Sequence, residues 1–157
     1  MTELEQREAG SATAQWIVCE QTGRWAAAVR GTLARRGRGL PGGALRETRN
    51  LDECDRMLAR WPASLVAIEV TPGNFPMRLR WLAGLESKFH RARAVVFSQL
   101  DLAEADWALR EAGAMAVARS FRGLPVVVVL AERHLARAPR PAVGITQQIL
   151  AGLPWKS

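Results

Sequence analysis

Along this chain, short continuous apolar runs alternate with longer stretches in which apolar residues recur every three or four positions. WIVCE (residues 16–20) is a run ended by an acid, and Trp25, Val29 and Leu33 follow at i, i+4, i+8, the spacing of one helix face. RRGRGLPGG (residues 35–43) breaks that helix into a loop. LRETR (residues 45–49) reads as a second, less hydrophobic strand. Asn50 then caps a helix carrying Leu51, Cys54, Leu58 and Trp61, which Pro62 stops. SLVAIEV (residues 64–70) has the near-continuous apolar character of a strand buried on both faces of a parallel sheet. Thr71, Pro72, Gly73 and Asn74 form a turn.

The alternation continues beyond the turn. Leu79, Leu82, Leu85 and Phe89 make a helical stripe, and ARAVVFS (residues 92–98) is another buried-type strand. Asp101 opens a helix with Leu102, Ala105, Leu109 and Ala112 on one face, ended by Gly113. AMAVA (residues 114–118) is a weak strand. Residues 124–137 read as the last helix, although their four valines also fit a strand. Residues 138–157 hold three prolines and then Ile145, Ile149, Leu150 and Leu153 at helical spacing, a short extension expected to dock on the domain. The pattern predicts an α/β protein with a five-stranded, doubly wound parallel sheet over residues 16–137, a polar leader at 1–15 and the extension at 138–157. Functional groups are then expected at the carboxyl ends of the strands.

Composition narrows the class. With 157 residues, 48% hydrophobic and 24% charged, the chain has the balance of one ordinary globular domain. Cys19 and Cys54 are the only cysteines, expected as free buried thiols in a reducing cytoplasm. With His90 and His134 they make no four-ligand zinc set, so neither a metal nor a cofactor is expected. The first fourteen residues lack the apolar run of a signal peptide, and no stretch approaches a membrane span. Thr22 and Gly23 are too sparse for a nucleotide phosphate loop, and no spacing sets a histidine beside Ser98, so no catalytic constellation is supported. Both histidines read as surface residues.

Three segments in order, LVAIEVTPG, VVFSQ and ALREAGAMAVARSF, resemble the receiver domain of bacterial two-component response regulators, over roughly residues 16–137. The resemblance implies a five-stranded, flavodoxin-like signalling domain. It also implies an acid pair after the first strand, a phosphate-accepting aspartate ending the third, a hydroxyl ending the fourth and a lysine after the fifth. Matched position by position, the acid pair is Cys19 and Glu20, the acceptor is Glu69, the hydroxyl is Ser98, and Arg119, Ser120 and Phe121 stand at the lysine-proline. Glutamate reaches about 1.5 Å further than aspartate, and in-line transfer tolerates misplacement of ~1 Å poorly. Pro72 also follows Glu69 one residue earlier than the family pattern has it. The resemblance thus implies a degenerate pocket of Glu20, Glu69, Ser98 and Arg119, with Arg119 available to pair with Glu69, in a pseudo-receiver acting by phosphorylation-independent protein contact. A Mg-dependent phosphoacceptor with an atypical site is the alternative, and so is a basic module binding anions or nucleic acid.

Partner signals follow. Trp107 lies off the apolar stripe of its helix, and in receivers the surface it shares with the last strand and helix meets partners. Here that surface adds Arg110, Arg122, Arg133 and Arg137. A protein partner is therefore expected, with a homodimer as one form of it. The formal charge of +7 invites a nucleic-acid partner as well. The basic residues are spread along the chain, however, and only Arg35, Arg36 and Arg38 cluster, in a loop lacking the aromatics of a single-strand binder.

Overall fold

A computed structural model describes residues 14–37, 39–40, 45–101 and 103–139. Strands and helices alternate: β1 (Trp16–Cys19), α1 (Arg24–Arg36), β2 (Leu45–Thr48), α2 (Leu51–Arg60), β3 (Leu65–Val70), α3 (Phe75–Lys88), β4 (Arg93–Ser98), α4 (Ala103–Glu111), β5 (Ala114–Ala118) and α5 (Leu124–Arg137). All neighbouring strands are parallel, in the order β2-β1-β3-β4-β5, which reverses direction between β1 and β3. An open parallel sheet leaves a crevice beyond the carboxyl ends of its strands at such a switch point.

The sheet has a core on each face. Trp16, Val18, Leu65, Ala67, Val95 and Phe97 pack with Trp25, Val29, Val127, Val128 and Leu135, so α1 and α5 cover one side. Ile17, Cys19, Val66, Ile68 and Val96 pack with Leu58, Leu82, Leu85 and Leu109, so α2, α3 and α4 cover the other. All six residues of β3 are buried, as its unbroken apolar run requires of the central strand.

Local chemistry sets the helix ends. The Asn50 side chain accepts the Glu53 N–H at 2.8 Å, and the Glu53 carboxylate reaches back to the Arg49 N–H at 2.8 Å, a reciprocal cap. The valines of residues 126–129 lie in a helix because Pro125 occupies its first turn, where the missing N–H has no acceptor to lose. Leu124, Val127, Val128, Ala131 and Leu135 then form one buried stripe.

Some boundaries shift from the sequence pattern. Ala14 and Gln15 are buried, and Gln15 donates its N–H to Ser64 Oγ and accepts the Leu65 N–H. The last two residues of the expected leader thus pack with the folded body. Helix α4 begins at Ala103, not Asp101. The rest of the leader, Leu102, Arg38 and the extension beyond Pro139 lie outside the described residues. His134 is half-buried and not a surface residue, because its Nε2 lies 2.8 Å from the Ala63 carbonyl.

Candidate functional site

The crevice at the β1/β3 switch point is built around two buried carboxylates. Glu20 directly follows β1 and is fully buried. Gly23, at φ 81°, takes the left-handed conformation that a side chain would strain, and turns the chain into α1. That turn aims the first N–H groups of α1 at Glu20. Its Oε2 accepts the Trp25 N–H at 3.0 Å and its Oε1 accepts the Ala26 N–H at 2.7 Å. Two donors that a helix start leaves unpaired are thereby satisfied, by a charge the helix dipole favours.

Glu69, one residue before the end of β3, is 4% exposed. Its Oε1 accepts hydrogen bonds from Trp25 Nε1 at 3.3 Å and from the Gln99 side-chain amide. Arg24 Nη2 approaches the same oxygen to 3.8 Å. The Trp25 ring closes over this group. It stacks on Phe97 at 4.4 Å between centroids and meets Phe121 edge-on at 4.9 Å. Asn74 ties the following turn, accepting the Thr71 N–H at 2.8 Å and donating to the Glu69 carbonyl.

Sheet register separates residues that the sequence grouped. Glu69 is paired with Phe97, and Val70 with Ser98. Neighbours in register share a face and successive residues alternate, so Glu69 and Ser98 project to opposite sides of the sheet. Ser98 is buried, with its hydroxyl accepting the Leu100 N–H at 3.1 Å. Arg119 forms ion pairs with Asp101 at 3.1 Å and Asp106 at 2.9 Å, and the cation placed on Glu69 is Arg24. Of the expected pocket, only Glu20 and Glu69 come together, bridged by Trp25.

The Cys19 side chain points to the opposite face from Glu20. There it receives a hydrogen bond at 3.0 Å from Nη1 of Arg78, an arginine only 3% exposed. Burial, with Cys19 nearby, pushes the Cys54 thiol well above its ordinary range, so it stays protonated and unreactive. Both cysteines are free.

Magnesium, which the resemblance would imply here, does not fit this donor set. Mg²⁺ takes hard oxygen ligands, whereas the acid pair is half thiol and the remaining carboxylate has both oxygens on backbone N–H groups. Among the described residues no three His, Cys, Asp or Glu side chains gather closely enough to hold a metal ion.

The arginine loop is also redistributed. Arg35 and Arg36 belong to the last turn of α1, where Arg36 binds Glu132 of α5 in a two-pronged contact and Arg35 bonds the Thr32 hydroxyl. The Arg36 contact ties α1 to α5, and the Arg35 contact stays within α1.

Trp25, Gln99 and Arg24 carry the site, and the sequence reading passed over all three in this role. Trp25 was visible only as the start of an apolar stripe, and its indole N–H was the one signal of a polar partner.

Beside the site, Glu47 accepts hydrogen bonds from Arg30 and Arg49. The Arg30 bond, then that of Arg49, hold its carboxyl below the ordinary value of 4.5. A lowered folded-state value means that the stabilisation is complete above pH 4.5 and fades as pH falls through the depressed value. Glu47→Gln is therefore expected to flatten the acid limb of the stability curve below that pH. Urea titrations at stepped pH check this, and the effect is small because the arginines are half-exposed.

No protein-family model and no curated protein sequence matches the chain. Solved structures do. A response regulator from Thermotoga maritima superposes with a TM-score of 0.62 at 18% identity, over 78% of this chain and 98% of that one. An atypical orphan response regulator with a phosphorylation-independent regulatory mechanism gives 0.61 at 16% identity, over 80% and 98%. A CheY-like protein (tadZ) from Pseudomonas aeruginosa gives 0.58 at 15% identity, over 75% and 98%. Strand order, the two helical layers and these likenesses together give the chain the fold of the response-regulator receiver domain.

Proposed function

We propose that the chain is a receiver-fold signalling module that acts through protein contact without being phosphorylated. One observation carries this reading: Glu20 is spent on the start of α1, and Glu69 is buried under Trp25 with an oxygen already hydrogen-bonded. A phosphoryl group needs an accessible carboxylate oxygen in line with its donor, together with a cation to neutralise the charge. The burial of Glu69 does not meet the first demand, and the cation beside it is Arg24, 3.8 Å from Oε1. The likeness to an orphan regulator with a phosphorylation-independent mechanism supports the same reading.

Incubation with acetyl phosphate and Mg²⁺, followed by intact mass measurement, tests it. No phosphoryl gain is expected. Stoichiometric addition of one phosphoryl group at Glu69 would overturn the proposal in favour of a Mg-dependent phosphoacceptor.

We place the partner contact on α4 and α5. Trp107 is 66% exposed, and Arg110 on α4, Arg122 in the turn after β5, and Arg133 and Arg137 on α5 are all exposed on the elements that flank β5. Trp107→Ala is expected to change stability by less than about 0.5 kcal/mol, as exposed positions do, while weakening association. Sedimentation equilibrium over a range of protein concentrations tells a second copy from a different protein as the partner. No described helix is long and apolar enough to cross a membrane, and two free buried thiols suit a reducing cytoplasm.

A further inference from the structure

At the end of the sheet opposite the Glu20–Glu69 crevice lies a cleft of about 310 Å³, formed where the turns entering β3 and β4 meet the last turn of α5. His90, Arg91, Arg93, His134 and Arg137 line it, and among the described residues no acidic side chain does. We propose that this cleft binds a small phosphate-bearing anion, of the size of a diphosphate group.

Two of its side chains are held in place by backbone. Arg93 Nη1 donates to the carbonyls of His90 at 2.9 Å and Ala92 at 2.8 Å, which fixes its guanidinium plane. His134 is anchored through Nε2 on the Ala63 carbonyl, which fixes its ring in the wall of the cleft. No described carboxylate pairs with Arg91, Arg93 or Arg137, so no acid within the described structure neutralises the cleft.

The plainer explanation is that these cations neutralise helix ends, since α3 and α5 both finish here. The magnitudes do not balance. Each helix carboxyl end carries about half a negative charge, so two of them offset about one of three guanidinium charges. A surplus of about two positive charges remains in a concave site whose planar forks match phosphate oxygens. The volume is that of a small-ligand site at the low end of the usual range, enough for a diphosphate group.

Calorimetric titration of the full chain with inorganic pyrophosphate at low ionic strength tests the assignment. Saturable one-to-one binding is expected, weakened about tenfold or more in Arg91→Gln/Arg137→Gln, because each lost guanidinium removes a charge-assisted hydrogen bond. Both positions are exposed and hold no described structural contact, and circular dichroism confirms that the variant folds. Arg56→Gln/Arg80→Gln removes the same charge from elsewhere on the surface and is expected to bind like the parent chain. An equal loss in that control would reduce the effect to net charge and overturn the site. Absence of saturable binding would also overturn it, as would a mixed-sequence oligonucleotide that displaces pyrophosphate through the same arginines and binds more tightly.

Discussion

Trp25→Ala is expected to lower the unfolding free energy by about 4 kcal/mol, the upper part of the range for deleting a buried large aromatic. The indole is 2% exposed and fills the space between α1 and the carboxyl end of the sheet. Its loss removes the stack on Phe97 and the edge contact with Phe121. It also takes a hydrogen bond from the nearly buried Glu69 carboxylate. Trp25→Phe separates these effects. Most of the packing survives, but the N–H and part of the bicyclic ring are lost, so a cost of about 2 kcal/mol from the hydrogen bond and a small cavity is expected. Urea denaturation of both variants checks the pair. If Trp25→Ala cost no more than Trp25→Phe, the ring would not be the lid over Glu69 that the geometry makes it.

Glu20→Ala is expected to cost about 3 kcal/mol, because it strands two backbone donors in a buried position at about 1–3 kcal/mol each, less what relaxation recovers. An ordinary exposed cap costs about 1 kcal/mol, so the size of the loss reports the burial. Glu20→Gln keeps one acceptor oxygen and should fall between the parent and the alanine variant. The comparison bears directly on function. A carboxylate kept for a cation would be expendable without that cation, and its removal would stabilise the metal-free protein by relieving a buried charge. A carboxylate that starts α1 is required whether or not a cation is added. Equal costs for Glu20→Ala with and without Mg²⁺ are therefore expected in equilibrium unfolding.

Much of the fold was readable because both periodicities are strong here. LVAIEV read as a strand buried on two faces from its length and unbroken apolar run, and the helix from Leu51 to Arg60 announced itself through Asn50, its acidic first turn and Pro62. Residues 124–137 were ambiguous by composition. The spacing of Leu124, Val127, Val128, Ala131 and Leu135 decided for helix, because only a helix puts those five on one buried face.

The site was less readable, and for a different reason. Its residues were found as strand ends, but their sidedness depends on register between strands distant in sequence. Glu69 opposite Phe97 puts the carboxylate with Trp25, and Ser98 opposite Val70 puts the hydroxyl behind the sheet. A shift of one residue would have reversed both. The sequence pointed to Arg119 as the partner of Glu69 and gave no sign of Arg24 in that role. Helix placement gave Arg119 two aspartates near α4 and brought Arg24 to the crevice.

The sequence by itself therefore determined the alternation of strands and helices, the two-sided burial of the sheet and the presence of acids at the ends of β1 and β3, because each follows from local spacing and burial preference. Only the tertiary structure decided that Glu20 would be consumed by the start of α1, that Trp25 would cover Glu69, and that three arginines would face a cleft with no acid among its described lining residues. Those outcomes depend on which donors and charges meet across the fold, and an inter-strand register or a helix position is set by the packing of the whole core.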